Sequence, residues 1–518
     1  MATSKNNDEN SKKSRAKKKL VTKKKENISS AFEFMKDDLP RTLFPLNMNI
    51  LLVEHGEARI RSHIQACVDE TNKETSFLVQ QRVYAAKPES HLRRTVKLDP
   101  VAEYYLYDLV YKNRSFFRKP HTKNREHFGY RFQEGDTIAS TVSYRAFRGA
   151  ISAYRKEYSH FISFDVASYF NGIYHHDLVN WLRELGAVDE DVNGFGQILR
   201  EINSGRSIDC LPQGLYPSKM IGNDFLRYVD NHFSLKSKKL IRFMDDFYLF
   251  SNSKTDIEDD FILVQELLGS RGLSVNAQKT SRDETGHTGV QDEIGKMKQA
   301  LLQKRRLVLE SFYDDEEPDE FILKKPLTKK ELDFVEELLK APTIEEEDVE
   351  LVLAIMRENT ESVETHLPEI MTRFPNLSKN VYAFCRGVQD KELVADAVVE
   401  SLKHGTRHLE FQLFWYAKML EEYLLDTSRA SEIIARLLES PSATPISKAK
   451  VLEIRDSRFG LSELRETFLK SGQSDWTAWA SAIGSMSLKK GSRNHVLKYF
   501  GNSSAMNHLI SSVVGELD

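Results

Sequence analysis

Two adjacent acids, Asp245 and Asp246, sit between largely apolar runs, with Leu240, Ile241, Arg242, Phe243 and Met244 before them and Phe247, Tyr248, Leu249 and Phe250 after. Aromatic and β-branched residues favour strands and Asp tolerates turn geometry, so the pattern predicts a β-hairpin with carboxylates at its tip. Unpaired carboxylates are costly in an apolar setting, so such a tip faces either water or a divalent cation. Upstream, Phe161-Ile162-Ser163-Phe164-Asp165 is a second apolar strand that delivers an acid at its end. Three acids from two neighbouring strands can hold two Mg²⁺ about 3.5 to 4 Å apart, an arrangement suited to phosphoryl transfer.

Between these blocks lies Leu211-Pro212-Gln213-Gly214-Leu215-Tyr216-Pro217-Ser218, where Gly214 permits close backbone approach to a ligand and Gln213 offers a neutral hydrogen-bonding arm. Downstream, Gly272-Leu273-Ser274-Val275-Asn276-Ala277-Gln278-Lys279-Thr280 reads as a turn and a short strand ending in a lysine. In order and spacing these blocks resemble the palm of a reverse transcriptase, over roughly residues 80 to 285. The resemblance implies an α+β right-hand polymerase, with fingers and palm. It makes Asp165 and Asp245 bridging metal ligands, Asp246 a supporting one, and the Val166 carbonyl a further oxygen donor. Phe170 would lie beneath the sugar and disfavour a 2′-hydroxyl; a core aromatic is the competing reading. Gln213 and Gly214 would line the nascent pair, and Lys279 would assist the departing pyrophosphate unless it is simply an exposed strand-end lysine. Phe243 stands where the family usually has tyrosine, which keeps the ring and loses the hydroxyl.

Asp99-Pro100 predicts a helix start, with Val101, Tyr104, Tyr105, Leu109 and Val110 on its apolar face. Ahead of it sit Arg82, Lys87, Arg93, Arg94 and Lys97, in what the resemblance makes the fingers. From Arg114 to Arg155, Arg118, Lys119, Arg125, Arg131, Arg145 and Arg148 alternate with Phe116, Phe117, Phe128, Tyr130, Phe132 and Tyr144. Such interleaving suits phosphate pairing and base stacking, and Arg131 is the residue assigned to the triphosphate. The KLDPVAEYYLYDLV stretch is similar to abortive-infection and defence-associated bacterial reverse transcriptases.

A formal net charge of −3 over 518 residues favours no partner class, but its distribution is uneven. Residues 1–28 are Lys-, Ser- and Asn-rich and predict a disordered basic tail, whereas Asp314 to Glu320 is an acidic run. Cys67, Cys210 and Cys385 lie far apart without a CxxC, which fits a reducing cytoplasm, and no apolar stretch is long enough for a membrane span. Adjacent His175 and His176 point apart in regular structure and read as scaffold rather than as a metal site.

Past residue 285 the pattern is helical. Thr328 with Glu331 and Thr343 with Glu346 read as capping boxes, and amphipathic stretches begin near Lys391, Glu410, Ser428, Ser447, Leu461, Asp475 and Arg493. The expectation is three segments: tail 1–28, fingers and palm 29–285, and an all-α, HEAT-like helical repeat domain 286–518. Apolar residues all round Phe411, Leu413, Phe414, Trp415, Leu420 and Tyr423 predict burial on two sides, and with it a homo-oligomer.

The expected function is an RNA-directed DNA polymerase in antiphage defence, using two Mg²⁺ or Mn²⁺, dNTPs and an associated non-coding RNA or a protein primer, and giving a DNA product. The alternatives are an RNA-bound oligomeric scaffold with secondary polymerase activity, a template-independent DNA polymerase, and a group II intron or retron enzyme. The last is disfavoured because no maturase, zinc-binding or endonuclease segment follows the palm.

Overall fold

The structure, a computed structural model, describes residues 28–69, 75–88, 91–117, 124–204, 211–282, 301, 327–340, 344–403 and 407–518. The basic tail, the acidic run, Arg118, Lys119, Cys210, Thr343 and the expected boundary at 285 lie outside those residues.

The chain begins with α1 (Ala31–Asp38) and α2 (Asn47–Val68), followed by an antiparallel hairpin of β1 (Gln81–Ala86) and β2 (Leu92–Lys97). In α3 (Pro100–Lys112) the expected cap is present: the Asp99 carboxylate accepts from the Val101 and Ala102 N–H groups at 2.9 and 2.8 Å. Pro100 occupies the first turn, where no N–H partner is lost. Next come β3 (Arg125–His127), the short pair β4 (Phe132–Gln133) and β5 (Asp136–Thr137), α4 (Ser140–Glu157) and β6 (His160–Asp165). After β6 run α5 (Tyr169–Gly172), α6 (His175–Glu184), α7 (Asp189–Glu201), α8 (Tyr216–Phe225) and α9 (Arg227–Asp230). The predicted hairpin is β7 (Lys239–Phe243) and β8 (Asp246–Ser251), followed by α10 (Lys254–Gly269) and β9 (Ser281–Arg282).

Five strands form one sheet in the order β3-β7-β8-β6-β9, antiparallel except for β3 with β7. Strand period two sends alternate residues to opposite faces. Phe164 and Phe247 stack at 5.2 Å on one face, against Phe261 of α10. Tyr248 and Phe243 meet Phe147 of α4 on the other. With helices on both faces, the acid-bearing strand ends are the polar edge of an otherwise apolar layer.

From Leu367 onward most helices pack on the helix after next: Leu367–Arg373 on Lys391–Lys403, Ser378–Cys385 on Glu410–Met419, then Glu410–Met419 on Pro445–Leu452 and Pro445–Leu452 on Trp476–Gly484. The expected helix starts agree to within a few residues, and the Glu331 carboxylate accepts from the Thr328 N–H at 2.6 Å. This region folds back onto the start of the chain. Phe44 meets Phe414 at 5.2 Å and Phe411 at 5.9 Å, edge to face, and the Tyr84 N–H of β1 donates to the Glu410 carboxylate at 3.0 Å. The first-turn N–H groups of α2, on Asn47 and Met48, donate to Glu453 at 3.1 and 2.8 Å. Lys450, fully buried, joins Glu453 to Glu421. The two-sided burial around Trp415 is therefore met within the chain, by residues near its start, without calling on a second copy.

Candidate active site

The β7–β8 connection is a two-residue turn, because Phe243 and Asp246 are ladder partners and only Met244 and Asp245 lie between them. Met244 adopts φ 55°, a left-handed conformation that a non-glycine residue holds only when its surroundings insist. Those surroundings are polar and buried. Arg242, wholly buried, donates to both Asp230 oxygens at 2.7 and 2.6 Å, to Asn223 at 3.0 Å and to the Met244 carbonyl at 3.1 Å. Phe243, in the position where tyrosine was the usual residue, is buried against Tyr130, Tyr144 and Phe147. No hydroxyl is needed there.

The antiparallel register of β6 with β8 pairs Asp165 with Asp246, so the three acids meet at one end of the sheet. Beyond Asp165 the chain bridges Val166 to Val275, through Ala167 N–H to Ser274 O and Asn276 N–H to Asp165 O. Neither bond takes up the Val166 carbonyl. The expected short strand at Val275 is only this single bridge, and Lys279 lies in a 3-10 turn, Ala277–Lys279. From there its ammonium reaches Asp165 Oδ2 at 2.8 Å.

Burial pushes the Asp245 carboxyl up to about 6, with the charge of Asp165 adding to the rise, while its backbone bond, Lys279 and Arg93 pull it down. At Lys279 burial works against the charge, but the bond to Asp165 and the field of the three acids raise its pKa overall. Asp165 Oδ1 is buried with no hydrogen-bond partner among the described residues. Closely set carboxylates, one orphaned oxygen and one raised pKa are the signature of a site short of positive charge, and hard oxygen donors suit Mg²⁺. Among the described residues no three such side chains are already gathered as a coordination set. Binding a cation would require the acids to close and Asp165 to release Lys279.

The acids line a cavity of about 590 Å³ whose walls include Val166, Phe170, Asn171, Gln213, Gly214 and Lys279. Its lining also includes Lys87, Arg93 and Arg94 from the β1–β2 hairpin. Arg131, assigned to the triphosphate from sequence, does not line it: burial lowers the Arg131 pKa and its guanidinium points back to the Gly129 carbonyl. Among the described residues, Arg93 and Arg94 are the arginines that line the cavity. Their strand could be recognised in Leu92-Arg93-Arg94-Thr95-Val96, but nothing local ranks them above Arg131. The aromatics of the 114–155 stretch are largely core: Tyr144, Phe147 and Tyr130 pack under the acidic turn.

Phe170 lies over Gly222 of α8, where an added Cβ would come within 3.2 Å of its ring. Gly214, at φ 94°, lines the cavity and has the Leu43 side chain 2.7 Å from a would-be Cβ, so a side chain at this position would collide with Leu43. Gln213 also serves the fold. Its N–H donates to Thr95 at 2.7 Å and its amide to Asn171 at 3.1 Å, tying the hairpin to the segment after Asp165. His175 is buried, with burial taking its pKa down to about 4.

Residues 115–291 match the family model described as reverse transcriptase (RNA-dependent DNA polymerase). The chain carries a reverse transcriptase domain. A domain of that description is a nucleotidyltransferase of the RNA-directed DNA polymerase type. The reverse transcriptase domain as matched contains the three acids, Gln213 and Lys279 but begins after the β1–β2 hairpin. Among solved structures the chain is similar to a Candida albicans telomerase in complex with a TWJ fragment of telomeric RNA, at 12% identity over 74% of this chain and 64% of that one, with a TM-score of 0.25. It is similar also to apo telomerase from Candida tropicalis, at 13% identity over 74% and 73% of the two chains, with a TM-score of 0.26. It thus spans less than two thirds of the first of these. No curated protein matches the chain.

Proposed function

We propose that this protein polymerises deoxynucleotides at the cavity where Asp165, Asp245 and Asp246 meet, against an RNA partner, in antiphage defence. The carrying observation is that acids from two strands share one cavity with Arg93, Arg94 and Lys87. The three carboxylates and the Val166 carbonyl would hold divalent cations. When bound, these supply activation of the primer hydroxyl and neutralisation of the leaving pyrophosphate. Arg93, Arg94 and Lys87 bind and orient the triphosphate from the hairpin side. Lys279, once parted from Asp165, is a proton donor within reach of the departing group. Phe170 walls the cavity on the sugar side, and the Gln213 amide, donating to the neighbouring Asn171, holds that segment in place.

The defence role rests on the resemblance of the motifs. The helices from Leu367 onward we read as a HEAT-like stacked repeat domain, supported by their packing one beyond the next. Asp245→Asn with Asp246→Asn in the full chain tests both parts. The expected result is loss of dNTP incorporation and of phage protection together. Protection that persists without incorporation would favour an RNA-bound scaffold, and persistence of both would exclude this cavity.

A further inference from the structure

The hairpin that brings Arg93 and Arg94 to the cavity is only two strands and stands apart from the five-stranded sheet. An isolated hairpin is marginal in water, so its arginines keep a fixed place only if other elements hold it. On β2 the palm does so: the Gln213 N–H donates to the Thr95 hydroxyl at 2.7 Å, and the Gln213 amide donates to the Arg94 carbonyl at 3.3 Å. On β1 the hold comes from the far end of the chain, where Glu410 accepts from the Tyr84 N–H at 3.0 Å.

These two contacts act on one rung. Along an antiparallel pair, residues alternately bond each other and turn their N–H and C=O groups outward. Tyr84 and Arg94 are direct ladder partners of the outward kind, so the Tyr84 N–H leaves on one edge and the Arg94 carbonyl on the other. The Arg94 backbone is thus clamped between Gln213 and Glu410. A carboxylate at a helix start ordinarily serves that helix's own N–H groups. Glu410, half-buried at the start of Glu410–Met419, gives its two oxygens to other elements: one to Tyr84, the other to the hydroxyl of Thr444, which caps Pro445–Leu452. Phe411 and Phe414 of the same helix are locked edge to face on Phe44. Neither the hairpin nor Glu410 lies within the matched residues 115–291.

Resting on the polymerase reading above, we propose that Glu410 is a positioning residue for nucleotide binding, which sets Arg94 on the cavity by holding the Tyr84 N–H. The late helices thereby act in substrate binding as well as in stability.

The test is a double-mutant cycle in the full-length protein, read by dNTP incorporation and by Tm. Glu410→Ala should raise the KM for dNTPs about fivefold to tenfold, the order of one hydrogen bond to a charged group. Its kcat should stay within about twofold of wild type, because the acids are untouched. Glu410→Gln keeps an acceptor for Tyr84 and a donor for Thr444, and should restore the wild-type KM. In an Arg94→Ala background, Glu410→Ala should add almost nothing to KM, since a residue that acts through Arg94 has nothing left to position. Should Glu410→Ala fail to fold, Glu410→Asp carries the same expectation: it keeps the charge and draws the oxygens back by one methylene. A lowered Tm with unchanged KM overturns the proposal, as does an equal rise in KM with and without the Arg94 side chain. A wild type that incorporates no nucleotide sinks the polymerase reading and this proposal with it.

Discussion

Asp165 and Asp246 are direct Cα partners at the last rung of the β6–β8 ladder. Like charges facing each other across strands repel; here Lys279 already offsets that repulsion at Asp165, and in the proposed reading a divalent cation would take its place. In Asp165→Asn, incorporation should fall at least about 100-fold, since several kcal/mol of charge stabilisation goes with the cation. Metal-free Tm should hold, and added Mg²⁺ should raise the Tm of wild type but not of the variant. Equal Mg²⁺ stabilisation of both proteins would remove Asp165 from the site.

Phe170 tests sugar choice. Its ring lies on Gly222 at the cavity wall, so Phe170→Ala opens space without leaving a sealed core hole. The variant should gain ribonucleotide incorporation relative to deoxynucleotide by about tenfold, equivalent to ~1.4 kcal/mol of relieved clash. A fall in Tm with no change of preference would assign the ring to packing.

Arg93 and Arg94 should separate from Arg131. Loss of a charge-assisted phosphate contact costs about 1.5 to 3 kcal/mol, so Arg93→Ala or Arg94→Ala should raise the KM for dNTPs by about tenfold or more. Arg131→Gln should leave KM unchanged. Steady-state primer extension with the three variants side by side decides the assignment.

Glu453 anchors the late helices to α2, and its removal would leave Lys450 with one carboxylate fewer and two N–H groups uncapped. Breaking a buried ion pair costs about 3 to 5 kcal/mol. Glu453→Ala should therefore lower Tm by many degrees, and cutting the chain near residue 300 should yield an unstable palm. A truncated protein with the Tm and activity of the full chain would contradict this.

His175 gives a pH signature. Folded, its pKa is lowered to about 4 from 6.5 by burial, with His176 adding to the shift. Between those values the unfolded chain takes up a proton that the folded one refuses, so stability is complete above pH 6.5 and declines as pH falls toward 4. Thermal melts of His175→Leu across pH 4 to 7 should show a shallower acid-side decline than wild type.

Where information was local, the sequence was readable. The acidic hairpin, the strand ending in Asp165, the Asp99 cap and the late helix starts each declare themselves within about ten residues, through strand period and capping chemistry. What escaped depended on distant partners. Arg131 and Arg94 look alike along the chain, and only the fold sets Arg94 in the cavity lining and leaves Arg131 out of it. Nothing near Gly214 in the chain predicts that Leu43 packs against it. The single bridge at Val275 has the composition of a strand without its length.

The bond from Met48 to Glu453 also sets a clock. Its two ends lie 405 residues apart, and at a synthesis rate of ~5–20 residues per second the carboxylate emerges about 20 to 80 s after the helix it caps. During that interval the fingers and palm exist with α2 unfinished at its first turn and Phe44 still without Phe414. Ribosome-bound chains stopped before residue 410 should thus be open to proteases around Phe44, and nucleotide-handling competence should arrive only with the last third of translation.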